Sequence, residues 1–375
     1  MNELQDDPSW TSYRDARASF LEAAGGARVL SIRHPLRGPA GEELALDAAI
    51  LGDERAPALL VVVSGTHGVE GLGGSRAQTR LLDGWRSCLP GGDVCVLLVH
   101  ALNPFGFAWS RRANEDGVDL ARNFVDFTRP LPENPAFLEI ADALVPRDFY
   151  GEGKRVADEA IRDWVQRRGP REARAMARGQ YTHPRAPFYG GAAPAWSNST
   201  FRTLMRRFAD SCRRIIVVDI HTGLGTWGVG HLIGMHEATS EAARWGHVVW
   251  PGTFAPMGTG EVGYSVTGSL SAAVAEELPH ALSLVATYEF GVGDEREAVE
   301  VLRADHWLHA YGKAADISNL ETLAIRTRMR RAFFDASSAW GDAVYAQTAS
   351  CVDGALQGLR DRAMIRSEGA TVLHR

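Results

Sequence analysis

Four apolar runs rich in β-branched residues recur along the chain: ALLVVVSG at 58–65, DVCVLLVH at 93–100, RIIVVDIH at 214–221 and SLVATYEF at 283–290. They lack the polar alternation of a half-exposed strand, so they suit strands buried on both faces. Segments with helical periodicity lie between them, at 71–84, 134–145, 195–210, 269–278 and 293–312. Strands alternating with helices predict an α/β fold in three layers, with one sheet between two layers of helix. The stretch 318–363 reads as mostly helix and carries no chemistry, so packing is its expected use. The stretch 125–195 is rich in Pro, Arg, Gly and Glu, with helical composition near Asp158 to Arg178. It reads as an ordered insertion between the two strand-bearing halves, and insertions of this kind shape the mouths of sites.

Composition removes several function classes. The chain has 375 residues, a net charge of -6 and a pI near 6.1. That balance argues against a sequence-independent nucleic-acid binder, which carries a basic surplus. Lysine occurs only at Lys154 and Lys313, so the positive charge is almost all arginine. The start, MNELQDDPSW, has neither a basic segment nor an apolar one of the secretory type. No apolar run approaches the length of a membrane span. Cys88, Cys95, Cys212 and Cys351 are scattered and form no C-x-x-C pair, so neither a disulfide framework nor a cysteine-rich zinc site is expected. A cytoplasmic protein is the expectation.

The chemistry begins where the first run ends, in GTHGVEG. His67 and Glu70 stand three apart on a glycine-rich turn entering a helix, a spacing that lets both side chains reach one ion. The turn lies beyond the carboxyl end of a strand, where sites of open α/β sheets are found. Alone, H-x-x-E is equally a solvated histidine and a glutamate favoured by a helix N-terminus. Two further strand ends change the balance. RIIVVDIH delivers His221 before Thr222-Gly223-Leu224-Gly225, and SLVATYEF delivers Glu289 after an apolar run. A buried acid is costly unless paired, hydrated or functional. Imidazole, carboxylate and a second imidazole make a common three-ligand zinc set with a fourth position open.

The order H-x-x-E, distant histidine, later glutamate resembles the carboxypeptidase-A-like zinc metallopeptidases. Asn103-Pro104-Phe105-Gly106 followed by WSRRANEDGVDLARNF is similar to that superfamily's N-P-x-G, R-x-N and G-V-D-x-N-R-N-F segments. The likeness runs from about residue 58 to 291. More narrowly, SRRANEDGVDLARNF, THPRAPFYGG and DIHTGLG resemble a bacterial branch of it, a domain of unknown function spanning nearly the whole chain.

The resemblance implies a single zinc-hydrolase domain over 1–375 with a central mixed, mostly parallel sheet flanked by helices. It implies one Zn2+ per chain on His67, Glu70 and His221, with Glu289 as general base. Arg112 would stabilise the oxyanion, the adjacent Arg111 being an alternative there and a candidate for substrate binding. Asp119 would orient His67, Arg122 would grip a substrate carboxylate, and Tyr264 would close over substrate. Two departures stand out. Ala121 replaces the asparagine that precedes the arginine in D-x-N-R, and Gly68-Val69 replace the arginine of some digestive members. The first weakens the case for a C-terminal exopeptidase.

The resulting expectation is hydrolysis of an amide or peptide bond in a small substrate, with neither nucleic acid nor membrane as partner. An N-acyl-amino-acid deacylase of the aspartoacylase or succinylglutamate desuccinylase type shares the ligand pattern, and a non-catalytic zinc-containing binding protein is the rival of another class. A serine hydrolase is disfavoured because Ser64, Ser75 and Ser269 all lack a G-x-S-x-G setting. His231 and His236 in HLIGMH read as a strand and its exit, with structural use favoured over chemistry. The ten tryptophans read as packing.

Overall fold

Every residue of Ala58–Ser64 is buried, and the odd and even positions face different cores. Leu60 and Val62 point into one apolar cluster, while Leu59, Val61 and Val63 point into another. The same split recurs in Val94–His100 and in the first half of Arg214–Trp227. The uniform apolarity of these runs thus follows from a sheet covered on both sides, each buried Val, Leu or Ile contributing roughly 1.5–3 kcal/mol. The computed structural model describes residues 12–85, 92–259 and 265–361.

The strands are β1 (Arg28–Arg37), β2 (Glu43–Leu51), β3 (Ala58–Ser64), β4 (Val94–His100), β5 (Arg214–Trp227), β6 (Gly230–Gly234), β7 (Phe254–Pro256) and β8 (Leu282–Gly291). They form one eight-stranded sheet in the order β1-β2-β4-β3-β5-β8-β6-β7. The central pairs β4/β3, β3/β5 and β5/β8 are parallel, as is β6/β7, and β1/β2, β2/β4 and β6/β8 are antiparallel. The fold is therefore α/β, with a mixed, mostly parallel sheet between helices. Tyr13–Ala23, Gly71–Trp85, Glu241–Val249 and Ser338–Arg360 cover one face, and Trp196–Ala209 and Leu270–Glu277 cover the other. Among the described residues, no helix is long and apolar enough to cross a membrane.

Two local readings change. The strand bearing His221 does not end there: β5 continues to Trp227, with a register shift between Thr222 and Trp227. Gly223 and Gly225, at φ +130° and +101°, let the strand bend while it remains paired. The helix expected over 134–145 is two short ones, Pro135–Leu138 and Ala141–Leu144, because Ile140 leaves the helical region at φ -130°.

Three imidazoles, His100 and His306 buried and His236 partly buried, set an acid limit on the fold. Burial pushes His100, His236 and His306 each down to about 4 from 6.5. His236 must be neutral at Nε2 to accept the Val285 amide at 2.8 Å. The neutral forms favour the folded state, so their stabilisation is full above pH 6.5 and is lost as pH falls toward 4. Urea midpoints taken between pH 7 and 4 are expected to drop through that window. His236→Gln, which keeps an acceptor, is expected to flatten part of the slope.

Candidate metal centre

The turn after β3 is built by close backbone approach. Gly65 takes φ +69°, and a Cβ on Gly68 would lie 2.1 Å from the Gly106 carbonyl carbon, so the His67 turn and the Asn103-Pro104-Phe105-Gly106 segment interlock. Asn103 caps the short helix Pro104–Ala108 by accepting from the Gly106 amide. Gly74 lets the helix Gly71–Trp85 ride directly on β3, where a Cβ would meet Ser64 at 2.6 Å. Glu70 closes a single 3-10 turn, Gly68–Glu70, and points back at His67.

His67, Glu70 and His221 converge, all buried, with one ligand atom from each lying within 4.8 Å of the others. The His67 Nδ1 is 2.9 Å from Glu70 Oε1, the His221 Nδ1 is 3.0 Å from Glu70 Oε2, and the two Nδ1 atoms are 3.0 Å apart. Each ring is fixed from behind. His67 Nε2 lies 3.0 Å from Asp119 Oδ1, and His221 Nε2 lies 2.7 Å from Asp219 Oδ2. Asp219 also accepts from the Thr66 hydroxyl at 2.7 Å, and Asp119 accepts from Arg112 and from the Ala121 amide at 3.1 Å.

These partners assign the tautomers. In the neutral rings a carboxylate behind each Nε2 keeps the proton there, so both Nδ1 atoms present lone pairs to each other and to Glu70. Acceptors facing acceptors at 3 Å repel unless a cation lies among them. One proton relieves one such contact, whereas a metal ion relieves all of them together. The group could therefore hold a metal, and its field favours positive charge. Burial would lower the His221 imidazole, but Asp219 and Glu70 hold it well above its ordinary value. Burial would raise the Glu70 carboxyl, and His67 and His221 hold it below the usual range.

Glu289 sits beside His221 in the parallel register of β5 and β8, and opposite His231 on β6. It is half-buried on the wall of a cavity of about 600 Å³ that His67, Glu70, His221 and Arg112 also line. Burial, then the charge of Glu70, pushes its carboxyl up to about 7, while one oxygen accepts from the Leu224 amide at 3.1 Å. Burial also acts against the charge on Asp119, but Arg112, Arg122 and His67 hold that carboxyl well below its ordinary value.

The two adjacent arginines part company. Arg112 faces the cavity, contacting Asp119 and reaching within 3.7 Å of Glu70. Arg111 is turned away from the cavity and is 1% exposed; its Nε donates to Asp305 at 3.1 Å, and its Nη1 to the Asn114 carbonyl at 2.9 Å. Arg111→Ala, which strands a buried Asp305, is expected to cost about 3–5 kcal/mol of stability. A denaturant melt measures it, and a loss under 1 kcal/mol would contradict a buried pair.

Arg122 lines the cavity, but its guanidinium donates to the Ala177 carbonyl from Nε (3.2 Å) and Nη2 (2.9 Å). Tyr264 lies outside the described residues. Sequence reasoning missed Asp219, although Asp-x-His on a strand places both side chains on one face. It also missed Phe188, a cavity residue at φ +63° whose ring lies 5.9 Å from the Arg112 guanidinium. His231 lines the cavity, whereas His236 is bonded into the sheet. From the 125–195 stretch, Ala173, Met176, Ala177 and Phe188 reach the cavity wall.

The fold and site together define an α/β protein with a buried three-residue group that could hold a metal ion at the carboxyl edge of its central strands. The chain belongs to the family described as "Protein of unknown function (DUF2817)", whose model matches residues 10–347. No curated protein matches it in sequence. Among solved structures it is similar to carboxypeptidase A from Helicoverpa armigera, at 12% identity and TM-score 0.42 over 86% of this chain and 74% of that one. It is similar to bovine thrombin-activatable fibrinolysis inhibitor in complex with tick carboxypeptidase inhibitor, at 11% identity and TM-score 0.43 over 86% and 99%. Murein-tripeptide amidase MpaA from Escherichia coli O157 is also similar, at 18% identity and TM-score 0.37 over 78% and 94%.

Proposed function

We propose that the protein is a zinc-dependent hydrolase of an amide or peptide bond in a small substrate. The observation that carries this is the inward-facing set of His67 Nδ1, Glu70 and His221 Nδ1, each imidazole backed by its own carboxylate. Two imidazoles, one carboxylate and an adjoining cavity fit zinc with an open position. A zinc ion held there supplies Lewis acidity, which makes water a usable nucleophile near neutral pH.

The remaining roles belong to the protein. Glu289, beside His221 on the cavity wall, takes a proton from the attacking water and returns it to the leaving nitrogen. Arg112, on the cavity wall, supplies positive charge to the developing negative charge on the scissile carbonyl oxygen in this reading. Asp119 ties Arg112 and His67 to one carboxylate, so a single group orients both.

The test is a panel of blocked dipeptides, simple amides and N-acyl amino acids, assayed before and after chelation and zinc re-addition. The expected result is amide cleavage that chelation abolishes and zinc restores. Cleavage indifferent to chelation would overturn the zinc reading, and confinement to N-acyl amino acids would move the protein to the deacylases.

A further inference from the structure

Arg122 lines the cavity, and three of its five N–H donors, including the Nε/Nη2 pair, are already engaged. Arg122 is 4% exposed. Its Nε and Nη2, the pair that would bind a carboxylate in parallel, both donate to the Ala177 carbonyl at 3.2 and 2.9 Å. Its Nη1 donates to the Ala121 carbonyl at 3.4 Å and lies 3.7 Å from Asp119. The Ala177 carbonyl is not free to leave. The buried Asn134 amide donates to the carbonyls on either side of it, Met176 at 2.9 Å and Gly179 at 2.8 Å. Thr267 adds two bonds to the Arg178 carbonyl, from its amide at 3.0 Å and its hydroxyl at 3.1 Å. The segment 176–179 is therefore a strap fastened across the guanidinium.

The other charges on the wall do not replace that clamp. Arg303 is spent on the Ala143 and Leu144 carbonyls and on Asp158 and Glu300. Arg112 is held on Asp119 beside the ligands. Arg174 stands exposed at the rim, where an ion pair is worth little, and Glu295 on the same wall repels anions. The wall away from the ligands is apolar. From Glu289 the strand face runs through Thr287 to Val285, about 13 Å at 3.3 Å per residue. On β6 and just beyond it, Ile233 pairs with Thr287, and the Met235 amide donates to Val285. Leu270, Met176 and Phe188 complete that surface.

We infer that the substrate is a neutral amide bearing an apolar side chain, with no free carboxylate on the group that enters beside Arg122. This rests on the hydrolase reading and narrows it. A carboxylate entering there could use the Nε/Nη2 pair only by displacing a tethered carbonyl, and at Nη1 it would meet the Asp119 carboxylate 3.7 Å away, so its affinity is lowered. An uncharged end costs much less to desolvate.

The test is a matched pair of N-acylated dipeptides with a leucine side chain, one ending in a carboxylate and the other in a carboxamide. With zinc-loaded enzyme, kcat/KM for the amide is expected to equal or exceed that for the acid. A preference for the acid beyond about tenfold, or 1.4 kcal/mol, would overturn the inference. If neither is cleaved, the hydrolase reading fails, and calorimetric titration of both into zinc-loaded Glu289→Gln then decides. Amide binding equal to or tighter than acid binding upholds the inference, and tenfold tighter acid binding or binding of neither overturns it. Asn134→Ala, which unfastens the strap, is expected to move the kcat/KM ratio at least threefold toward the acid. A folded Asn134→Ala protein with an unchanged ratio would refute the strap as the cause.

Discussion

Glu289→Gln is expected to retain the metal and lower kcat by roughly 10²–10⁴-fold, the range for loss of a general acid–base group. The substitution preserves shape and the acceptor facing the Leu224 amide. It removes the proton-accepting oxygen and relieves the repulsion with Glu70 that helps raise the Glu289 carboxyl. Stability is therefore expected to hold or rise slightly while turnover falls. Steady-state kinetics on protein of confirmed metal content measures the effect. Near-normal turnover would place the base elsewhere on the cavity wall, with His231 the next group in register.

His221→Ala is expected to abolish metal binding and activity together while leaving a folded protein. It deletes one of the three proposed ligands and leaves Asp219 without its imidazole partner, although the Thr66 hydroxyl still donates to that carboxylate. Circular dichroism and elemental analysis of one preparation read both halves of the result. Stoichiometric metal in the folded variant would remove His221 from the ligand set.

The parts of this site that were legible in the sequence are those set by strand ends. His67, Glu70, His221 and Glu289 each follow an apolar run, and parallel neighbours bring those ends together. What was not legible depends on contacts between distant segments. Arg111 and Arg112 are alike in type and adjacent in chain, and only Asp305, 194 residues away, pulls one of them from the cavity. Arg122 was expected to grip a substrate carboxylate, but its Nε and Nη2 donate to the carbonyl of Ala177, 55 residues on, which no spacing reveals. The edge strand β1 and its neighbour β2 escaped notice for local reasons. β1 is largely exposed, so it lacks an apolar run, and β2 contains a buried Asp47 that only Arg17 and Ser31 make tolerable. β6 was visible in HLIGMH, but its place beside β8, which puts His231 opposite Glu289, was not.

The central claim is that the inward-facing nitrogens and carboxylate form a zinc site, and zinc-edge X-ray absorption on protein of measured metal content tests it most directly. The expected result is one zinc per chain with two imidazoles and oxygen donors at about 2.0–2.2 Å and no sulfur in the coordination sphere. Folded protein that takes up no zinc after re-addition, or a sphere containing sulfur near 2.3 Å, would contradict it.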